Sequence, residues 1–397
     1  MKTNSLLEVI MEGYDDLDNF EAVARIVVIG VGGAGNNAVN RMIDEDISSV
    51  EFYVLNTDKQ ALSTSKARNR LVLGGDYTQG LGAGGEPEVG RQAAEASIED
   101  IRNIVKGANM VFVAAGMGGG TGTGAAPVIA RVAREEGALT VAIVTRPFGF
   151  EGKKRIANSV EGLNELKESV DSIIIVSNDK LLMVNGTNSI QEAFSESDRV
   201  LAQSVKTVTD LILMPAVINL DFADVRNTLK NSGVALIGFG MGQGPKKAED
   251  AANNAINSPL LETSIAGARR AICAVTCGPN VSLYEAQETV ERIIEAAGEA
   301  IDIKFGVSIN DQLSDQILVS VIASDFDKEY DFASTVPSER VRPVSKPSDL
   351  VLSNENASET NAEEKPAEEK VNEEPDLQED DFGDNFLTDF LKSKHIE

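Results

Sequence analysis

The sequence predicts an α/β protein, a Rossmann-like parallel sheet wrapped by helices, then one long helix and a smaller α/β unit. Three observations carry this. Short apolar runs alternate with helical patterns from about residue 25 onward. Two glycine-rich clusters each follow such a run and open a helix. Residues 189–214 continue without proline or glycine.

Residues 1–20 carry acids and scattered apolar positions without a period, and read as a loosely held arm. The fold begins near Arg25. Strand-like runs at 26–29, 52–55, 110–115, 139–144 and 172–176 are each followed by turn or helix signals, which argues for parallel strands with helical crossovers. The stretch 189–214 places Ile190, Phe194, Val200, Leu201, Val205, Val208, Leu211 and Ile212 at helical spacing. It reads as one buried rod that Pro215 stops, and 221–231 as a further short helix ended by Gly233. A second unit follows, with strand-like runs at 234–239, 271–276, 301–309 and 317–323 and helical patterns at 246–257 and 283–297. Beyond about 326 the chain turns to Ser, Pro, Asn, Glu and Lys, a composition that buries too little apolar surface to offset its ordering entropy. As a coil of roughly fifty residues its ends lie on the order of 40 Å apart. Phe382, Phe386 and Phe390 then recur at helical spacing beside Leu387 and Leu391, either as a short partner-binding helix or as a chance apolar patch.

Composition narrows the function. At 397 residues, 42% apolar and 25% charged, the chain suffices for two folded domains plus tail. Its net charge is −27, of which residues 351–397 contribute 15 acidic against 4 basic side chains. Such a surface repels polyphosphate backbones and anionic lipid, so neither nucleic acid nor bare membrane is an expected partner. The N-terminus lacks a secretory apolar stretch and no run reaches the length of a membrane span, which predicts a cytoplasmic location. Cys273 and Cys277, spaced C-x-x-x-C in an apolar run, fit neither a zinc site nor a redox pair and read as core. The one histidine is His395, so histidine triads and histidine metal sites are excluded from the folded region. No resident metal site is expected.

The chemistry lies in the glycine clusters. Gly30-Val31-Gly32-Gly33-Ala34-Gly35-Asn36-Asn37 matches G-x-G-x-x-G between a strand and a helix, where a bare backbone and free helical N–H groups can approach a phosphate. With Asp58 23 residues past Gly35, a dinucleotide site remains open at this point. The second cluster puts six glycines between Gly116 and Gly124, before a helix expected over 125–136. So costly a loop implies a ligand that needs backbone amides. No Lys-Ser or Lys-Thr follows either cluster, which excludes a Walker P-loop. A third stretch at Gly80, Gly82, Gly84 and Gly85 is either a loop closing over a terminal phosphate or a mobile surface loop; three such loops suit a triphosphate better than a hydride carrier.

Four ordered motifs resemble the FtsZ family, the tubulin-like division GTPases: GGGTGTG at 118–124, TRPFGFEGKKR at 145–155, SND at 177–179 and NLDFADV at 219–225. The resemblance spans about 25–325. It implies a GTPase whose subunits polymerise head to tail, each active site completed by a neighbour. By position it assigns the phosphate grip to Gly33, Ala34, Gly35, Asn36, Asn37, Gly118, Gly119, Gly120, Thr121, Gly122, Thr123 and Gly124. Gly82, Ala83 and Gly84 become the γ-phosphate loop, Glu151 and Arg155 the ribose contacts, and Asn178, Phe194 and Asp198 the guanine contacts. A carboxylate suits guanine because adenine presents no matching pair of donors. Asn219, Asp221 and Asp224 would orient the attacking water, with Mg²⁺ held mainly through the phosphates of GTP.

Asp-x-x-Asp at a helix start is also an ordinary capping pattern, and the two roles are compatible. A continuous rod over 189–214 spans about 39 Å, so Phe194 and Asp198 cannot share a pocket with Asp221 of the same molecule. The resulting organisation is an arm (1–24), a GTP-binding domain (25–188), the central helix and catalytic loop (189–232), a C-terminal α/β domain (233–325), an acidic linker (326–380) and a partner-binding peptide (381–397). That peptide, Thr388-Asp389-Phe390-Leu391-Lys392, departs from the family's Pro and Phe-Leu-Arg pattern, yet by resemblance it engages membrane-tethering and regulatory division proteins at mid-cell. Two rival readings are an NAD-dependent oxidoreductase built on the first loop and a GTP-binding scaffold that does not hydrolyse.

Overall fold

Ten strands form one continuous sheet: β1 (Ile26–Val31), β2 (Glu51–Asn56), β3 (Asn69–Val72), β4 (Met110–Gly116), β5 (Leu139–Arg146), β6 (Ser172–Ser177), β7 (Gly233–Gln243), β8 (Ala268–Cys277), β9 (Asp302–Ile309) and β10 (Gln316–Phe326). Their spatial order is β3-β2-β1-β4-β5-β6-β7-β10-β8-β9. The computed structural model describes residues 24–47, 50–184, 189–214, 216–261, 263–298 and 300–326, with Tyr330 and Phe332. The expected arm before residue 24, the stop at Pro215, the expected linker beyond Phe332, and the terminal peptide with Phe382, Phe386, Phe390 and His395 lie outside the described residues.

From β3 to β7 the strands are parallel. Parallel strands are covered on both faces, which is why β1, IVVIGV, is buried at every position. Described helices are α1 (Gly32–Asp44), α2 (Lys59–Ser63), a short turn at Gly75–Thr78, α3 (Pro87–Glu95), α4 (Ile98–Val105), α5 (Thr121–Glu135), α6 (Lys153–Ser169), α7 (Asn178–Val184), α8 (Ile190–Leu213), α9 (Phe222–Leu229), α10 (Lys247–Ile256) and α11 (Leu283–Ala297). Val39 and Met42 of α1 and Val200, Leu201, Val205 and Val208 of α8 cover Val28, Phe112 and Ile174 on one face. Ile129 and Val132 of α5 and Leu163 and Leu166 of α6 cover Val27, Val113 and Ile173 on the other. The strand order reverses between β1 and β4, and ligands of open α/β sheets bind at the carboxyl ends of strands beside such a reversal.

β7 belongs to both halves. Gly233 and Ala235 pair in parallel with Ser172 and Ile174 of β6, whereas Leu236 to Gln243 pair antiparallel with β10. Beyond it, β8 runs antiparallel to β10 and β9 parallel to β8. Gly238, Gly240 and Gly242 let α10 lie directly on β7: a methyl group at Gly240 would fall 2.0 Å from the Ala251 carbonyl oxygen. Cys273 and Cys277 are free and buried here, and burial pushes their thiols up to about 12 and about 11.

The central helix is set by its first turn. Ser189 Oγ accepts from the Glu192 N–H at 3.3 Å, and Glu192 Oε2 accepts from the Ser189 N–H at 2.8 Å. Three features depart from the sequence reading. β3, α3 and α4 had no signal in the apolar runs. α5 begins at Thr121 rather than near residue 125, because its glycine-rich first turn is stabilised by close packing: a methyl group at Gly124 would lie 1.8 Å from the Pro87 carbonyl oxygen of α3. Within the span expected to be linker, Phe332 is buried among Leu163, Leu166 and Ile173. Arg146 Nη2 donates to its carbonyl at 3.1 Å, the Lys167 ammonium lies 5.9 Å from its ring, and the Tyr330 ring sits 5.3 Å away. No described helix is long and apolar enough to cross a membrane.

Candidate functional site

The first and second glycine clusters meet at the β1–β4 reversal. Gly32, with φ +71°, turns the chain from β1 into α1, and a methyl group there would lie 2.9 Å from the Gly122 nitrogen. One at Gly35 would lie 2.2 Å from the Ala114 carbonyl oxygen, and one at Gly116 2.6 Å from Ala34 Cβ. Asn36 is buried, and with its amide turned so that the nitrogen faces acceptors it donates to the Gly30 and Gly32 carbonyls at 3.0 Å each. It braces the loop, while Gly33 and Asn37 are exposed.

The glycines of the second cluster divide by role. A side chain at Gly119 would meet nothing, so that position is open to a ligand. Gly118, at φ +98°, passes under the Arg155 carbonyl, and its N–H donates to Thr123 Oγ1 at 2.8 Å. Gly120 abuts Ala83 of the third loop, Gly122 abuts the Gly116 carbonyl, and Gly124 lies under α3. The third loop thus touches the second through Ala83, while Gly84 faces open space.

The other predicted contacts form a connected wall. Phe194 stands at the start of α8, its ring 40% exposed and set edge-on to buried Phe148 at 5.0 Å. Phe148 stacks on Phe150 at 5.0 Å, and its N–H donates to Glu151 Oε1 at 2.9 Å. Glu151 also forms an ion pair with Arg155, whose carbonyl touches Gly118. Asn178, at the end of β6, is buried and accepts from Ser197 Oγ of α8 at 2.8 Å. One turn from Phe194, Asp198 is held by burial far above the usual carboxylate range, at about 7, and the Arg41 guanidinium of α1 opposes this only in part. A carboxylate so placed gains from a ligand that brings N–H donors.

Phe148, which supports this wall from beneath, was missed as a functional residue; the Phe-x-Phe alternation in TRPFGFEGKKR, with a neighbour glycine, was the available signal. Asp58 is already engaged: its Oδ1 accepts from the Gln60 N–H at 2.7 Å as the cap of α2.

Asn219, Asp221 and Asp224 are not brought to this wall. They follow the far end of α8, about 36 Å from its start. Ile218 is pinned to β9 by hydrogen bonds with Val307, and Leu220 is buried, which leaves Asn219 exposed between them and Asp221 exposed just after. Asp221 Oδ1 accepts from the Asp224 N–H at 2.8 Å and so caps α9; the Asp224 carboxylate bonds no described side chain. Among the described residues no three carboxylate, cysteine or histidine groups converge on a cation position.

Comparison with known proteins gives the family. Residues 25–186 match the Tubulin/FtsZ family GTPase domain, and 233–327 match the FtsZ family C-terminal domain. A solved FtsZ dimer from M. jannaschii is 38% identical, with 84% of this chain and 96% of that one covered and a TM-score of 0.76. CetZ2 from Haloferax volcanii, solved as a GTPγS-bound protofilament, shares the fold at 22% identity, with 78% and 96% covered and a TM-score of 0.67. These matches lend the oxidoreductase reading no support, and they show that this chain belongs to the FtsZ family of tubulin-like GTPases.

Proposed function

We propose that this chain binds GTP between the three glycine loops and the Phe194–Asp198 wall, and hydrolyses it only where the end of α8 from a second copy abuts that site. The separation along α8 carries this reading: one rigid rod of 24 residues holds the base-binding residues at its start and the acidic loop beyond its end. No motion within a folded copy brings Asp221 to its own cradle. Stacking copies along the rod does.

Within the cradle, Gly33, Ala34, Gly35, Asn36, Asn37 and the 118–124 loop hold the α- and β-phosphates, with Gly82, Ala83 and Gly84 at the γ-phosphate. Glu151 and Arg155 attend the ribose. Phe194 stacks on guanine, Asn178 lies beside it, and Asp198 accepts from its two N–H groups. A Mg²⁺ ion carried on the phosphates would screen their charge. From the neighbour, Asn219, Asp221 and Asp224 orient the attacking water, a contribution of positioning rather than covalent chemistry.

Exposed apolar side chains stand at both ends, as stacking requires. Leu81 and Phe150 are 82% and 64% exposed beside the cradle; Val217 and Ile309, flanking the Ile218–Val307 pairing that anchors the acidic loop, are 67% and 57% exposed. The M. jannaschii relative was solved as a dimer and CetZ2 as a protofilament. The filaments act in the cytoplasm as the division ring at mid-cell, and the 381–397 peptide engages membrane-tethering and regulatory division proteins. The decisive measurement is GTP hydrolysis per molecule across protein concentration, beside sedimentation with GTP, with GDP and without nucleotide. The rate is expected to rise above a threshold at which GTP drives sedimentation. A rate per molecule that stays flat overturns the proposal, and sedimentation without phosphate release returns the scaffold reading.

A further inference from the structure

Thr57, between β2 and α2, is fully buried and touches two of the three loops. Its Oγ1 lies 2.7 Å from Oγ1 of Thr121, the first residue of α5, in a hydrogen bond that either hydroxyl can donate. Its carbonyl oxygen accepts from the Gly82 N–H at 3.1 Å and from Thr78 Oγ1 at 3.4 Å. One residue therefore fixes the second loop by its side chain and the third by its backbone. At its start the third loop is also tied by backbone hydrogen bonds, Lys59 N–H to the Gly80 carbonyl and Leu81 N–H to the Thr78 carbonyl, both at 3.0 Å; beyond Gly82 its side-chain ties come from the rim. Lys154 pairs with Glu86, both more than half exposed, and Asn158 Nδ2 reaches the Gly85 carbonyl at 3.5 Å. Ties of that kind hold little in water. The Thr57 hydroxyl, shielded from solvent, has only protein groups with which to pair.

We infer that Thr57 is a positioning residue that sets the spacing between Thr121 and the Gly82–Gly84 loop, and so tunes how strongly the site favours GTP over GDP. This rests on the assignment of that loop to the γ-phosphate. With the hydroxyl pair intact the loop meets a γ-phosphate already placed. Without it, ordering the loop is charged against GTP alone, since GDP has no group to reach it.

The test is equilibrium binding of GTP and of GDP to the full chain, held below its assembly threshold, for wild type, Thr57→Val, Thr57→Ala and Thr57→Ser. Thr57→Val and Thr57→Ala are expected to lower the GTP-to-GDP affinity ratio about fivefold, the worth of one net hydrogen bond, with GDP affinity within about twofold of wild type. Thr57→Ser keeps the hydroxyl and should restore the ratio. An unchanged ratio in both hydroxyl-free variants, or loss of GDP binding in both, overturns the inference. A wild type that binds neither nucleotide defeats instead the underlying assignment.

Discussion

The two ends of the central helix are built on opposite plans. At its start, backbone packs on backbone: Gly32 against Gly122, Gly35 against Ala114, Gly118 against Arg155, with Asn36 and Thr57 buried as braces. At its far end Asp221 is exposed, and among the described residues its carboxylate accepts only from the N–H of Asp224 in the helix it caps. The first plan preorganises a receptor for a nucleotide, because little is left to order when the ligand arrives. The second leaves a loop placed by its anchors, Ile218 and Leu220, but with no cationic partner for its acids among the described residues. Binding and hydrolysis should therefore separate cleanly under mutation.

Asp221→Asn gives the sharpest separation, since asparagine caps helices about as well as aspartate. Hydrolysis is expected to fall by about a hundredfold or more, with GTP affinity and melting temperature near wild type. Phosphate release paired with nucleotide binding checks this, and a fall in affinity to match would merge the two regions. Lowering the pH breaks the comparison from the other side. In the proposed site Asp198 would accept guanine donors only when ionised, and burial raises its pKa from 3.8 to about 7. GTP affinity should be full above pH 7 and fall roughly tenfold per unit below it, measured by titration across pH 5–8. The same upward shift makes the nucleotide-free protein lose stability as pH rises from about 4 to 7, because the unfolded chain gives up that proton first. Asp198→Asn should bind weakly at every pH and flatten the profile.

Phe194→Ala removes a ring that adjoins Phe148 and leaves the phosphate contacts in place. GTP affinity should drop roughly three- to tenfold, while the sensitivity of hydrolysis to protein concentration persists. Ser189→Ala is the mildest test: loss of the α8 cap should cost about 1 kcal/mol in denaturant unfolding, with little change in hydrolysis per assembled molecule.

Much of this was legible in the residues, for reasons that differ from element to element. The rod from Ile190 to Leu213 announced itself because a Ser-x-x-Glu cap, an apolar period and the absence of glycine all agree. Strands β1, β4 and β5 are buried on both faces and so appear as unbroken apolar runs. β3 is four half-polar residues at the sheet edge, and its place is decided by pairing with β2 rather than by its own composition. The second glycine cluster shows where sequence reasoning reaches its limit. Six glycines read alike in one dimension, yet Gly119 lies open, Gly118 turns the chain, and Gly124 admits a neighbouring helix. Only the third dimension distinguishes a glycine reserved for a ligand from one reserved for packing.

The return of Phe332 to the first domain sets a path for mechanical force. The chain leaves the C-terminal sheet at the end of β10, and a ring whose burial is worth about 2 kcal/mol then fastens it to α6. Tension applied to residues beyond this point is delivered first to the nucleotide-holding half, and β10 feels the load only after the ring has been drawn from its seat.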